Sequence, residues 1–244
     1  MLNLPGYSDP HLRKSSTRTS LYVATRDSDA RRVAIKVYKG PNREKNRRDA
    51  EHELELLRRL AGSACAAGYG VEAAGGREYA LVLEYIEGES LREHARARTL
   101  SAEELVTLAT QLAEAVASVH AASVLHRDIK PDNILIASER ADLRLIDFGI
   151  SCTLAESRAQ GALGAQGTLA YIAPEQTGRM NRQIDGRSDL YSLGATLYEL
   201  ISGAPPFRGE SAMDLIHAHI AVEPDPPHSS QIPASSGFSR IVRK

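Results

Sequence analysis

The stretch HRDIKPDN occupies residues 126–133 and places two Asp, one Asn, one Lys, one Arg and one His in eight residues. Before it, leucines and valines from Leu105 to Val119 recur on one helical stripe, which predicts an amphipathic helix. After it, the apolar run ILI at 134–136 predicts a strand. A polar turn between two apolar elements is either a solvated loop or a catalytic centre.

Composition limits the choice between these two interpretations. The chain has 244 residues, 42% of them hydrophobic and 25% charged, which is typical of a soluble globular protein. A formal net charge of −1 gives no case for a nucleic-acid or anionic-membrane partner, and no apolar run is long enough to span a bilayer. Cys65 and Cys152 lack metal-ligand spacing and indicate free thiols. The N-terminus has no secretory signal, so we expect a cytoplasmic location.

The order of predicted elements indicates the fold class. Residues 19–25 and 31–38 predict a β-hairpin, residues 42–60 a charged amphipathic helix, and residues 78–86 a buried strand. The second part is mostly helical, with a capping box at Ser101 and Glu104 and a hairpin over 133–149. Two later helices are predicted over 188–203 and 211–220, the first with Leu190, Leu193, Leu197 and Ile201 on one stripe, whereas 150–170 shows no periodicity. We therefore predict an α+β fold with a β-rich N-terminal lobe (1–86) and a helical C-terminal lobe (87–244).

Two charged residues stand where apolar residues are expected. Glu53 shares a helix face with Leu56, Leu57 and Leu60, and Lys36 interrupts the apolar run VAIKVY. A buried carboxylate needs a partner, so a pair between Lys36 and Glu53 would explain both positions. The alternatives are a helix rotated enough for Glu53 to reach solvent, and a Lys36 that protects an edge strand.

Five motifs now occur in a recognisable order: VAIK (33–36), Glu53, HRDIKPDN (126–133), DFG (147–149) and APE (173–175). Together they resemble a eukaryotic-like protein kinase domain, from about Gly6 to the last residue. The resemblance implies a bilobal kinase fold, ATP and Mg²⁺ as cofactors, and a protein substrate.

The resemblance also implies roles for individual residues. Asp128 resembles the catalytic Asp that orients the substrate hydroxyl and accepts its proton, and Lys130 the Lys that neutralises the γ-phosphate. Asn133 and Asp147 resemble the magnesium ligands. Lys36 would bind the α- and β-phosphates and would be held in place by Glu53.

An adenine site follows from the same resemblance. Ala34 and Leu135 would sandwich the ring, Leu21 would cap it, and Leu83 would be the gatekeeper. The backbone of Glu84 and Ile86 would form hydrogen bonds with adenine.

Further residues bear on regulation and on the acceptor hydroxyl. Lys130 and Thr168 follow the Ser/Thr-kinase pattern, and we expect Thr168 to contact Asp128 and Lys130. Asp189 resembles the residue that braces the catalytic loop; it would also suit a helix N-terminus. Arg127 precedes Asp128, as in those kinases in which a phosphate group can order the activation segment. Four residues of that segment carry a hydroxyl group, and the sequence does not indicate which of them is phosphorylated: Ser151, Thr153, Ser157 and Thr168.

The nucleotide loop departs from the family pattern. The three glycines of the family fall at Lys14, Ser16 and Thr19, and no glycine is present there. Glycine lets a backbone approach phosphates closely. Without glycine, Ser and Thr hydroxyl groups would have to donate to the phosphates, and Lys14 or Arg18 would add positive charge.

Resemblance also suggests a larger protein. The run FSRIVRK (238–244) predicts the start of a helix, and family members continue with a helix whose Arg pairs with the residue equivalent to Glu175. We therefore expect a fragment truncated at its C-terminus. Residues 171–207 and 214–227, with the glycine-poor loop and the opening LPGY (4–7), resemble the N-terminal kinase domain of large bacterial and fungal signalling proteins, in which ATPase, GAF and sensor histidine kinase modules follow.

Four functions remain open at this point. An active Ser/Thr protein kinase in signal transduction accounts for all five motifs. A pseudokinase, which would act as a regulatory nucleotide-binding module, is favoured only by the glycine-free loop. A small-molecule kinase would lack the peptide-docking segment that contains Thr168 and Glu175. A purely structural helical protein would not explain the ordered motifs.

Overall fold

The computed structural model describes residues 4–138, 142–160 and 166–229, together with residues 237, 239 and 242. The chain forms two compact units, Met1–Glu87 and Gly88–Lys244. Strands dominate the first unit and helices the second. The predicted α+β class, β-rich in its N-terminal part and helical in its C-terminal part, is therefore confirmed.

The first unit is an antiparallel sheet in the order β1-β2-β3-β5-β4, with one long helix after β3. Its elements are β1 (Tyr7–Ser15), β2 (Thr19–Arg26), β3 (Arg31–Tyr38), α1 (Arg43–Arg59), β4 (Gly68–Ala73) and β5 (Tyr79–Glu84). The predicted β2–β3 hairpin, helix and β5 are present. The sequence did not predict β1, an exposed edge strand that contains Pro10, which only an edge tolerates readily.

Apolar side chains cover one face of this sheet. Val33, Ile35 and Val37 of β3 are at most 1% exposed and pack in one cluster with Leu4 and Val82. On the helix, Leu56, Leu57 and Leu60 are buried, as the stripe predicted. Asn42 caps α1 by accepting a hydrogen bond from the Lys45 amide, which satisfies one free donor of the first turn.

The second unit is mostly helical. Its elements are β6 (Gly88–Ser90), α2 (Leu91–Ala97), α3 (Ala102–Ala121), β7 (Val124–Leu125), β8 (Ile134–Ala137), β9 (Leu143–Leu145), β10 (Cys152–Thr153), α4 (Leu154–Gln160), α5 (Gly186–Ser202) and α6 (Ala212–Ala221). Short 3-10 helices span Pro131–Asn133 and Pro174–Thr177. The capping box at Ser101 and Glu104 and the β8–β9 hairpin are present as predicted.

In this unit two elements were not predicted, and the placement of Leu190 was wrong. The stretch 150–170 contains β10 and α4, because Thr153 and Glu156 form a capping box that starts α4. Leu190 is 54% exposed, so it lies off the buried face of α5. That face also contains the polar residues Ser188 and Ser192, whose hydroxyls are hydrogen-bonded.

The C-terminal stretch is described only in part. Ser239 and Val242, from the run FSRIVRK, lie in helical conformation, and the other residues of that run fall outside the described residues. In the described part of the chain, no helix is both long and apolar enough to cross a membrane.

Candidate active site

The loop between β7 and β8 gathers the polar residues of HRDIKPDN around Asp128. Thr168 donates to Asp128 Oδ1 from both its backbone nitrogen and its hydroxyl, each at 2.9 Å. Lys130 Nζ and Asn133 Nδ2 donate to the other oxygen, at 2.5 and 2.9 Å. The predicted contact of Thr168 with Asp128 and Lys130 is confirmed, since Lys130 Nζ also donates to the Thr168 hydroxyl.

These contacts fix the orientation of the Asp128 carboxylate. Each oxygen accepts hydrogen bonds from two donor groups, and one donor is an ammonium, which makes that contact charge-assisted. A carboxylate held in one orientation can align an incoming hydroxyl and accept its proton.

Asp189, in the first turn of α5, holds the backbone of this loop. Its side chain is fully buried and accepts from the backbone nitrogens of His126 (2.9 Å) and Arg127 (2.7 Å). His120 Nε2 lies 2.8 Å from the same carboxylate. Arg127 has φ 68°, a left-handed conformation that costs a non-glycine residue about 1–3 kcal/mol. Both predictions for Asp189 therefore hold: it binds the backbone of the catalytic loop, and it lies in the first turn of a helix.

The DFG motif follows β9 directly. Phe148 is fully buried against the His126 ring, with centroids 4.6 Å apart, and Asp147 is left-handed at φ 67°. The Ile146 nitrogen donates to the Asn133 carbonyl at 3.0 Å, so the backbones that carry Asn133 and Asp147 are adjacent. The two predicted metal ligands thus come from neighbouring segments of one unit.

The chemistry of these ligands suits Mg²⁺. The amide nitrogen of Asn133 donates to Asp128, so its oxygen is the atom that would face a cation, and Asp147 would add a carboxylate. Across the described ranges, no cluster of three or more His, Cys, Asp or Glu is placed to hold a metal. Magnesium is commonly bound by one or two carboxylates with waters and substrate phosphates, so a small protein ligand set fits it.

In the first unit, Lys36 and Glu53 form a buried ion pair. Lys36 Nζ donates to the two carboxylate oxygens at 2.7 and 3.0 Å, and Tyr38 also donates to Glu53. Glu53 is 1% exposed and Lys36 8%. The pair predicted from the two misplaced charges is confirmed. Both alternatives fail, because Glu53 does not reach solvent and β3 is an interior strand of the sheet.

Strand register places several predicted nucleotide residues on one face of the sheet. Lys36 pairs with Leu21 on β2, and Ala34 pairs with Leu83 on β5. Directly opposed residues share a face, and so do residues two apart along a strand. Leu21, Ala34, Lys36 and Leu83 therefore stand on the same face, opposite to the apolar cluster around Ile35.

The remaining adenine candidates are positioned separately. The Glu84 nitrogen donates to the Ala67 carbonyl at 2.8 Å. Ile86 is half-buried just after β5. Leu135 lies on β8 of the second unit, opposite Arg144 and Ser90.

The glycine-free loop is a tight turn between β1 and β2. The Ser16 nitrogen donates to the Thr19 carbonyl at 2.8 Å. The Ser16 hydroxyl accepts from the backbone nitrogens of Arg18 (3.3 Å) and Thr19 (3.1 Å). Residues 14–20 all lie outside the left-handed region, so the turn does not require glycine.

The structure adds a network that the sequence did not predict, centred on Arg92 in α2. Its guanidinium donates to Asp132 (2.7 Å), Glu199 (2.6 Å) and the Tyr171 hydroxyl (2.6 Å). Burial beside Glu199 raises the pKa of Tyr171 well above its ordinary value. The capping box at Ser90 and Glu93 could have predicted α2, but no local pattern indicates its partners.

The hydroxyls of the activation segment are largely engaged. Ser151 donates to the His126 carbonyl and Ser157 to the Ile184 carbonyl, and both residues are buried. Thr153 caps α4. Glu175 accepts from the Ser188 hydroxyl at 2.5 Å, so it has a hydrogen-bond partner within the described chain.

Comparison with known proteins agrees with this geometry. The protein kinase domain family matches residues 17–242. Serine/threonine-protein kinase PknB of Mycobacterium leprae is 32% identical over 166 residues, 67% of this chain and 26% of that protein. Probable serine/threonine-protein kinase pknA2 of Bifidobacterium longum is 33% identical over 214 residues, 82% of this chain and 27% of that protein. The chain spans about a quarter of the length of these relatives.

Proposed function

This chain belongs to the protein kinase domain family, and we propose that it transfers the γ-phosphoryl group of ATP to Ser or Thr hydroxyls of protein substrates. The observation that carries the proposal is the set of hydrogen bonds around Asp128, made by Lys130, Asn133 and Thr168. The names of the similar bacterial proteins support the same reaction class.

In this proposal, Asp128 aligns the acceptor hydroxyl and takes its proton. A positioned general base contributes about 10²–10⁴ in rate. Lys130 neutralises charge that develops on the transferred phosphoryl group. Thr168 contacts both Asp128 and Lys130 and keeps them in position. Asn133 and Asp147 would hold Mg²⁺, which neutralises phosphate charge when bound.

The first unit would bind the rest of the nucleotide. Lys36, held by Glu53, would bind the α- and β-phosphates. Leu21, Ala34 and Leu83 share the face on which Lys36 stands, which supports an adenine position there. Leu135 and the backbone of Glu84 and Ile86 would complete the adenine contacts.

Preference for Ser or Thr hydroxyls rests on Lys130 and Thr168. Both contact Asp128, and both match the Ser/Thr-kinase pattern of the sequence. The segment that contains Thr168 and Glu175 also supports a peptide substrate over a small molecule.

A second candidate function is a pseudokinase, a regulatory module that binds nucleotide without transfer. It is favoured by one observation. The backbone nitrogens of Arg18 and Thr19 donate to the Ser16 hydroxyl, so they would not be available to bind phosphate.

We further propose a signalling role within a longer, cytoplasmic protein. The resemblance of residues 171–207 to the kinase domain of large multidomain signalling proteins supports downstream modules as partners. Cys65 and Cys152 are both buried free thiols, which fits a reducing compartment.

The test is transfer of radiolabelled phosphate from ATP to a generic Ser/Thr protein substrate. We expect label on Ser or Thr in the presence of Mg²⁺ and none after chelation or with Asp128→Asn. Nucleotide binding by calorimetry without any transfer would favour the pseudokinase. Equal transfer by wild type and Asp128→Asn would overturn the assigned role of Asp128.

A further inference from the structure

Lys39 connects three parts of the glycine-free hairpin. Its ammonium donates to the Ser20 hydroxyl on β2 at 2.8 Å and to the Ser15 hydroxyl on β1 at 3.1 Å. The two hydroxyl oxygens are 3.0 Å apart. The Lys39 backbone nitrogen donates to the carbonyl of Arg18, within the turn, at 2.8 Å. We call Lys39, Ser15 and Ser20 the Lys39 clamp.

The clamp lies behind the proposed nucleotide face. Ser20 pairs with Val37 and with Ser15, whereas Leu21 pairs with Lys36. Side chains alternate along a strand, so the two serines stand on the face opposite to Lys36. The clamp can therefore hold the hairpin without occupying the face that would receive phosphates.

The composition of the loop explains why such a clamp is needed. A glycine-rich loop brings its backbone close to phosphates because it lacks side chains. Here the turn keeps its own donors occupied through the Ser16 hydroxyl. Side chains must then hold the end of the hairpin in position, and a Lys ammonium, with three donors, can bond both strands at once.

One of the two acceptors of the clamp, Ser20, is buried, whereas Ser15 is exposed. Ser20 is 4% exposed, although it lies one residue inside β2, next to an exposed turn. Both acceptors are hydroxyls, so the contact does not depend on a surface carboxylate. Arg18, by contrast, is 73% exposed in its side chain and lies 3.8 Å from Asp49, a weak exposed pair.

We propose that Lys39 is a positioning residue for nucleotide binding, which holds the glycine-free hairpin over the phosphates by bonding Ser15 and Ser20. This inference rests on the proposed function, because it needs a nucleotide at the face that carries Lys36.

The experiment compares Lys39→Met, which keeps the length of the side chain and removes its donors, with Lys39→Arg, which keeps two or more donors. Arg59→Met is the matched control, because Arg59 pairs with Glu55 on the exposed surface of α1. Each variant receives two measurements. One is ATP affinity by calorimetry together with steady-state KM for ATP and kcat, and the other is the rate of trypsin cleavage after Arg18 without nucleotide.

We expect Lys39→Met to raise KM for ATP roughly five- to tenfold with little change in kcat, since a charge-assisted contact is lost away from the reacting atoms. Cleavage after Arg18 should accelerate by a similar factor. Lys39→Arg should restore most of both effects, and Arg59→Met should change neither. Ser15→Ala/Ser20→Ala should reproduce Lys39→Met, and the triple variant should add little to it.

Three results would overturn the inference. Unchanged KM and cleavage in Lys39→Met would show that the clamp does not hold the hairpin. Faster cleavage with unchanged KM for ATP would show that Lys39 orders the hairpin without affecting nucleotide binding. Absence of ATP binding in wild type would overturn the proposed function, and the inference with it. The first two results leave the proposed function standing, so the failures are distinguishable.

Discussion

Lys36 Nζ lies 2.7 Å from one carboxylate oxygen of Glu53 and 3.0 Å from the other, inside the first unit. Lys36→Met leaves the Glu53 carboxylate buried with Tyr38 as a remaining donor. Removing one partner of a buried pair costs about 3–5 kcal/mol. We expect a loss of stability of that order in a denaturant titration and a severe loss of transfer activity.

The control for this pair is the exposed pair of Lys45 and Asp49, which should contribute about 0–1 kcal/mol. Glu53→Gln should impair transfer through the same site. Because the two residues act as a unit, Lys36→Met/Glu53→Gln should lose little more activity than either single variant. Fully additive losses would contradict a direct functional pair.

Asp128→Asn should abolish transfer while the fold persists. The Asn side chain keeps one oxygen for Thr168 or Lys130 but cannot accept a proton as a carboxylate does. Asp147→Ala should have the same effect on transfer, through loss of the proposed metal ligand. The measurement is phosphate transfer beside a thermal melt, with the exposed Asp225→Asn as control. Near-wild-type turnover in Asp128→Asn would refute the assignment.

Sequence patterns correctly predicted those elements whose formation depends on residues close together in the chain. The hairpin of β2 and β3 and the helix α1 follow from periodicity, and the pair of Lys36 and Glu53 follows from the cost of burying either charge alone. β1 escaped prediction because most of it is exposed, so no alternation marks it. α4 escaped although the Thr153–Glu156 capping box was readable in the sequence.

Tertiary contacts account for the rest. Arg92 bonds residues 40, 79 and 107 positions away in sequence, and a single sequence carries no local signal of such pairings. The exposed Leu190 is a similar case, because its exposure depends on which elements cover α5. At Ser16 the backbone lies outside the left-handed region, so the turn forms without glycine, while the effect of the missing glycines on phosphate binding stays a prediction.

The Arg92 network gives a third prediction. Arg92→Met would leave Glu199, 13% exposed in its side chain, without its charged partner, and would free Asp132 beside the catalytic loop. We expect a stability loss of up to about 3 kcal/mol and a fall in kcat/KM. Arg92→Lys should not restore both, because one ammonium cannot reproduce the planar fork that reaches three partners. Full restoration by Lys would contradict this geometry.

His219 on α6 gives a pH dependence. It is 4% exposed, and its Nδ1 lies 2.7 Å from the Tyr191 hydroxyl. Burial lowers the pKa of His219 below its ordinary value of 6.5, although the backbone of Leu169 and Ala170 favours the charged form. The unfolded chain therefore binds the proton more readily, and stability falls as pH drops through and below 6.5.

The measurement is the thermal midpoint of wild type, His219→Gln and the exposed control His217→Gln at pH 7.5 and 5.5. Wild type and His217→Gln should lose more stability on acidification than His219→Gln, because Gln does not titrate. Parallel losses in all three proteins would show that His219 does not contribute to the acid sensitivity.

The glycine-free loop gives the last prediction. The Ser16 hydroxyl accepts from the backbone nitrogens of Arg18 and Thr19, so Ser16→Gly/Thr19→Gly should release donors that can then face phosphate. We expect tighter ATP binding by calorimetry or higher turnover in the transfer assay, and a smaller dependence on Lys14 and Arg18. Thr17→Gly is the control, since it loosens the same turn and keeps the Ser16 hydroxyl.

The two functions predict different results for this variant. If the chain is an active kinase, wild type already transfers phosphate with modest ATP affinity, and the glycines improve binding or rate. If it is a pseudokinase, the glycines can tighten binding, but neither protein transfers phosphate, because the defect then lies beyond the loop. Equal gains from Thr17→Gly would attribute the effect to turn flexibility and not to the Ser16 hydroxyl. Weaker ATP binding in Ser16→Gly/Thr19→Gly would mean that the hydroxyl-bonded turn itself is the conformation that binds phosphate.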